Sequence, residues 1–223
     1  MRTKIVYEDQ DILVCHKPAG LATQSAGVTQ PDVVSELKSY LKGAYVGTIH
    51  RLDQPVEGLL VFARNKKAAA ALSRQLEDGT LRKRYCVLVC GHPVQEKGEL
   101  VDYLSKEGSL ARVVSEGSPG AKKAVLQYQV SQFGRGETDW PQECTCLDIC
   151  IGTGRFHQIR CQLSRAGMPV LGDRKYGTAE SLEMSRRMGI LHTALCAYRL
   201  MLKHPASGRE ISCEICPDWV KQG

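Results

Sequence analysis

Apolar runs of strand length, punctuated by turn residues, recur from one end of this chain to the other. Residues 6–7 and 12–15 flank the polar stretch Glu8-Asp9-Gln10-Asp11, the pattern of a β-hairpin. Further runs lie at 46–49, 59–63, 85–89, 100–104, 124–130 and 147–151, and a last pair near 195–202 and 210–215. Helical spacing is rarer. It joins Val33, Val34, Leu37, Tyr40 and Leu41 up to Gly43, and fills 68–76 between a capping Asn65 and the stop Asp78-Gly79. Phe156, Ile159 and Leu163 mark one face of a third helix that ends at Gly167. Strands outnumber helices, the joins are short and the helices interrupt irregularly. These features predict an α+β fold with a mixed, largely antiparallel sheet.

The 223 residues carry no repeat and no linker, so a single domain over 1–223 is expected. Met1-Arg2-Thr3-Lys4-Ile5 runs straight into the first strand without a signal region, and no stretch approaches the length of a membrane helix. A cytoplasmic protein with no membrane association is therefore expected, its ten cysteines reduced. Cys213-Glu214-Ile215-Cys216, together with Cys144 and Cys146, could supply four thiolates to zinc. Cys144, Cys146 and Cys150 lie in a strand-like run, however, where cysteine packs as a small hydrophobe, so no metal is expected. The glycine fingerprint of a dinucleotide site is absent too, and no cofactor is expected.

Thirty Lys and Arg against 24 Asp and Glu leave a net charge of +6. The excess gathers late: from Arg155 to Arg209 there are ten basic residues and three acidic ones. Such clustering fits either a phosphate-binding face or an unevenly charged solvated surface.

Three segments concentrate chemistry. Asp53 stands between two apolar strands, beside His50, Arg51 and Pro55, and reads either as a catalytic loop carboxylate or as a turn aspartate bonding its own backbone. Gly152-Thr153-Gly154-Arg155-Phe156-His157-Gln158-Ile159-Arg160 passes from strand through a glycine turn into a helix. If Phe156 and Ile159 face the core, Arg160 is drawn inward and needs an anion, for which a loop carboxylate such as Asp53 is suited; otherwise the segment is a solvated basic helix end. Arg82-Lys83-Arg84-Tyr85 places cations ahead of an aromatic residue, which suits base stacking and phosphate contact, or reflects β propensity alone. A carboxylate-based glycosidic hydrolase would require a second acid or base near the first, and only Glu57 and His50 are near Asp53 in sequence.

The stretch His50-Arg51-Leu52-Asp53-Gln54-Pro55-Val56-Glu57-Gly58-Leu59-Leu60-Val61-Phe62-Ala63-Arg64 resembles the signature of the RluA family of pseudouridine synthases. Further segments match in the family's order: Lys17-Pro18-Ala19-Gly20, Lys83-x-Tyr85, Gly154 through Arg160, Pro169 through Gly177, and the closing strands from Leu191-His192 to His204-Pro205. The resemblance implies that uridines in folded RNA, ribosomal or transfer, become pseudouridine without a cofactor. It implies a bifurcated sheet with peripheral helices and a central RNA-binding cleft. Asp53 would be the essential aspartate, Tyr85 the tyrosine stacked on the target base, and Arg160 the arginine paired with the aspartate. Ile159 would line the same pocket, and Arg51 would fill the gap left by the flipped nucleotide. His50, Lys83, Arg155 and His157 lie in the matching segments and are expected at the RNA.

Two places depart from the family's pattern. Thr-Ser is frequent where this chain has Val56-Glu57, and threonine is usual at Phe156. Glu57 is expected to point away from the cleft. A catalytic domain without the S4 RNA-binding domain that members often carry is expected, and so is a monomer. Target choice is assigned to loops at 91–98 and 178–188.

Overall fold

Asp9 starts the fold by accepting hydrogen bonds from the amides of Asp11 (2.8 Å) and Ile12 (2.9 Å), which turns the chain back on itself. The computed structural model describes residues 1–25, 30–131, 133 and 140–220. In chain order the elements are β1 (Lys4–Glu8), β2 (Ile12–Lys17), α1 (Val33–Tyr40), β3 (Gly47–Thr48), β4 (Glu57–Ala63), α2 (Lys66–Glu77) and β5 (Arg82–Cys90). There follow β6 (Lys97–Glu107), β7 (Leu110–Val114), β8 (Lys122–Val130), β9 (Cys144–Ile151), α3 (Gln158–Arg165), α4 (Ala179–Arg187), β10 (Leu195–Lys203) and β11 (Glu210–Glu214). They form two compact units. One holds Met1–Lys83 and Cys196–Pro217, the other Arg84–Leu195 and the residues after Pro217. The α+β class with a largely antiparallel mixed sheet is as expected.

In the first unit β2 pairs antiparallel with β1 and with β4, in a register running from Ile12↔Ala63 to Lys17↔Gly58. β4 also pairs with β3 and, in parallel, with β10, which pairs with β11. Every residue of β2 and β4 is buried, which is why 12–15 and 59–63 are continuous apolar runs rather than alternating ones. Ile12, Val14, Leu59 and Val61 form a core with Ala68 and Leu72 of α2 and Ile211 of β11. Asn65 caps α2 by accepting from the Ala68 amide at 2.8 Å, as its position predicted.

In the second unit β5, β9, β8, β6 and β7 make an antiparallel sheet in that order. Strand β7 was not foreseen, because its five residues include the exposed Arg112 and show no sustained alternation. The loop expected at 178–188 is helix α4. Thr178 and Ser181 form a reciprocal capping box at its start, and Met184 and Ser185 are buried. The third helix begins two residues later than its apolar spacing suggested. His157 adopts a left-handed φ of 51°, which takes Phe156 out of helical register and leaves it 39% exposed. Phe156 therefore does not share the core face of Ile159 and Leu163, contrary to expectation.

Gly58, the second residue of β4, has φ of 137°, and a Cβ there would stand 2.5 Å from the Ala197 amide nitrogen. Gly79 has a similar left-handed strain at φ of 76° but open space around it. Gly79→Ala should cost only backbone strain, on the order of 1–3 kcal/mol. Gly58→Ala should cost clearly more, because β10 must also move. Urea unfolding of both variants checks this, and equal losses would contradict the close β4–β10 approach.

Candidate active site

The loop around Asp53 is tied down through its backbone. Before it, Thr23 Oγ1 accepts from the Leu52 amide (3.1 Å) and donates to the Leu52 carbonyl (2.9 Å). After it, the Gln54 carbonyl accepts from the Gly20 amide (2.8 Å) and from Lys17 Nζ (3.1 Å). The Val56 amide closes the turn onto the Asp53 carbonyl at 3.1 Å. Asp53 itself stays partly exposed. The turn itself is closed by the main-chain bond between Val56 and Asp53.

Lys17 is the keystone of this arrangement. It is fully buried at the end of β2, and its ammonium donates to the carbonyls of Leu21 (2.7 Å), Pro18 (3.1 Å) and Gln54. Three donors thus meet three acceptors, the condition under which a buried ammonium is tolerated. Burial pulls its pKa down to about 7, opposed by the negative charges of Asp53 and Glu57, while the positive charge of Arg2 pulls the same way as burial.

Of the two near candidates for a second acid or base, neither is presented to solvent. Glu57 is 2% exposed, with His16 Nε2 at 3.7 Å. His50 is buried, and desolvation followed by the charge of Lys83 drives its pKa well below the usual histidine value, leaving it neutral. Lys83 Nζ lies 3.5 Å from His50 Nδ1, and the Val61 amide 3.4 Å from its Nε2. A neutral imidazole has one acceptor nitrogen, so these two long contacts are not hydrogen bonds simultaneously. Arg51 is exposed, with its guanidinium 3.5 Å from Gln24 Oε1.

In the second unit α3 is buried from Gln158 to Leu163, so its polar side chains need partners. Gln158 accepts from Thr153 Oγ1 and the Arg155 amide and donates to the Val125 carbonyl, which stitches the glycine turn to β8. Arg160, 2% exposed, donates through Nε (2.7 Å) and Nη2 (2.8 Å) to both oxygens of Asp173, which is wholly buried. A buried bidentate pair of this kind has strict geometry, and losing one partner costs about 3–5 kcal/mol. Its guanidinium also lies 5.1 Å from the centre of the Tyr176 ring. Asp173 was given no role in the sequence reading. A signal existed, since residues 155–209 hold only three acids, and a buried arginine must face an acid.

Tyr85 is buried on β5, opposite Ile149, and is followed in the ladder by Cys86↔Asp148. Its neighbour Arg84 makes a two-armed pair with Asp148. Ile159 is buried on α3. Arg155 is exposed and its Nε donates to the Lys123 carbonyl at 3.0 Å. His157 is buried and shares a hydrogen bond with Tyr176 Oη at 2.9 Å.

The group Asp9, Asp11 and His204 looks metal-like at first sight. His204 Nε2 lies 2.9 Å from Asp9 and near Asp11, but its Nδ1 accepts from the amides of Ala206 and Ser207. The ring proton is therefore on Nε2 and donates to Asp9, which accounts for the cluster by hydrogen bonding alone. Cys144 and Cys146 are buried in β9; desolvation pushes the Cys144 thiol up to about 11, and the Cys146 sulfur lies 3.4 Å from that of Cys86.

Comparison with known proteins gives these residues their context. The family model described as RNA pseudouridylate synthase matches residues 11–165. Ribosomal large subunit pseudouridine synthase C of Rickettsia bellii is 30% identical over 213 residues, covering 94% of this chain and 67% of the relative. An RNA pseudouridine synthase of Aquifex aeolicus is 34% identical over 224 residues, covering 95% of this chain and 68% of the relative. The chain thus spans about two thirds of the length of these relatives. Among solved structures, human RNA Pseudouridylate Synthase Domain Containing 4 shares the fold, with a TM-score of 0.77 at 21% identity over 98% of this chain and 90% of that one. With a family match that includes both the Asp53 loop and the Arg160 helix, the chain belongs to the RNA pseudouridylate synthase family.

Proposed function

We propose that this chain converts specific uridines of structured ribosomal RNA to pseudouridine, with Asp53 as the reacting carboxylate. The observation that carries the reading is the fixing of peptide groups on both sides of Asp53 while its side chain remains partly open. A reacting group held in this way loses little freedom on reaching attack geometry. Relatives named for the large ribosomal subunit make its RNA the first substrate to test.

The reaction separates uracil N1 from C1′, turns the ring and joins C5 to C1′. N1 gains a proton and C5 releases one, so no electrons are exchanged and no cofactor is called for. The base must first leave the RNA stack, at about a few kcal/mol. Arg51, exposed beside Asp53, is proposed to fill the vacated space, and Tyr85 to stack on the extruded base. Arg160 is proposed to balance the charge of the reacting carboxylate. Ile159 would add apolar wall, and Lys83 and Arg155 would meet phosphates. His50 and His157 are buried and act in this reading by holding Lys83 and Tyr176 rather than by touching RNA.

Asp53→Asn should lower pseudouridine formation by at least about 10⁴-fold, as loss of a covalent catalyst does, with RNA affinity changed by less than about threefold. Carbodiimide primer extension on large-subunit ribosomal RNA, paired with filter binding, measures both. Near-normal isomerisation by the variant would refute the assignment.

Lys17→Met should release the Gln54 carbonyl and reduce the isomerisation rate. It also tests the buried charge. The folded pKa of about 7 lies below the unfolded value of about 10.4, so between them the unfolded chain binds more protons. The lysine's charge penalty is full below that window, and wild-type stability gains as pH rises through it. The stability of wild type relative to Lys17→Met should therefore rise between about pH 7 and pH 9.5 in urea unfolding. A constant gap would contradict the depressed pKa.

A further inference from the structure

Phe156 stands where the family usually has threonine, and it is exposed rather than packed into the core. It borders a cavity of about 240 Å³ within the second unit, lined by Leu104, Lys106, Ala111, Lys122, Arg155 and Phe156 among others. No acidic side chain lines it. The volume falls below the ~300–1,000 Å³ of pockets for drug-sized ligands, a scale that suits one flat ring system.

The Phe156 ring is held in place. Its face stacks on His157 with centroids 3.8 Å apart and planes 20° from parallel. His157 is fixed in turn in its left-handed conformation by the Tyr176 hydroxyl, which also accepts from the Ala111 amide at 2.6 Å. A strained backbone held by its surroundings, presenting an aromatic ring to solvent, is a mark of pre-organisation for a ligand. Lys106 Nζ lies over the ring, 5.0 Å from its centre, the place an incoming base would take as the lysine turns to a phosphate, and Lys122 and Arg155 line the same cavity. An aromatic face ringed by cations is the chemistry that takes a nucleobase by stacking and its phosphates by charge.

We propose that this cavity is a subsite for one unpaired nucleotide of the substrate RNA, distinct from the target uridine, whose base stacks on Phe156 and whose phosphates meet Lys106, Lys122 and Arg155. The proposal rests on the RNA-modifying function above and adds to it a contact that this chain's own departure from the family pattern creates.

Phe156→Ala should weaken binding of the full chain to large-subunit ribosomal RNA by about tenfold, within the range a stacked base contributes. Phe156→Leu, which keeps apolar bulk over His157 but has no π face, should lose as much, whereas Phe156→Trp should restore affinity. Lys122→Ala should weaken binding evenly and flatten its salt dependence by roughly one unit of slope or less. In Phe156→Trp, the added fluorescence should be quenched by RNA at micromolar concentration but not by adenosine monophosphate in that range. Quenching by the free nucleotide at that level would overturn the proposal in favour of a mononucleotide site. Leucine at 156 binding as well as phenylalanine, in an enzyme whose wild type makes pseudouridine, would overturn the subsite alone. A wild type that makes no pseudouridine would overturn the proposed function, and the subsite that rests on it.

Discussion

The ammonium of Lys17, closed off from water by three backbone carbonyls, dictates the arrangement of the first unit. A buried cation is stable only if its donors are met, and the acceptors come from two separate stretches, Pro18 with Leu21 and the more distant Gln54. The two stretches must therefore meet, and once they do, the Gly20 amide and the Thr23 hydroxyl add bonds of their own to Gln54 and Leu52. Asp53 is fixed by what its neighbours' peptide groups do. Its carboxylate need not be spent on building the turn that carries it.

The second unit relies on the same device, a buried cation, met here by a carboxylate instead of carbonyls. Arg160 lies inside a helix that is buried all round, and Asp173 answers it with both oxygens. The aspartate in turn accepts from the amides of Lys175 and Tyr176, so the pair organises the 173–177 turn as well as the guanidinium. Bidentate geometry sets the guanidinium plane, and with it the direction of the N–H groups that Asp173 does not use. Lysine in place of Arg160 would keep the charge and lose that orientation.

What the sequence could reveal depended on the range of the forces involved. The first hairpin, α2 with its Asn65 cap and the closing β10–β11 pair follow from local patterns and stand close to where those patterns put them. The misreadings came where one backbone angle or one distant partner decided the outcome. Phe156 fits the helical period of Ile159 and Leu163, yet the left-handed turn at His157 removes it from their face. Residues 178–188 looked like a loop because their apolar positions are few, and the Thr178–Ser181 capping box that makes them helical is a side-chain bond between polar residues. Asp53 stands out in the sequence by its loop setting and family likeness. Asp173 was passed over because pairing across 13 residues leaves no periodic trace.

Glu57 and Phe156 have different physical consequences for the chain. Glu57 brings a second carboxylate toward Lys17, where Asp53 already acts, and Arg2 brings a second cation to the same surroundings. With Lys17 and Arg2 set against Asp53 and Glu57, the formal charges cancel, and the buried glutamate is accommodated where it sits. Phe156 is held by stacking on His157 and by Lys106 over its ring, outside the core. A large apolar ring left 39% exposed contributes little to folding, and a threonine would serve the turn with less apolar surface in water. Its position next to three cations gives that exposure a use only when something flat and anionic is present, which directs attention from the core of the protein to the RNA.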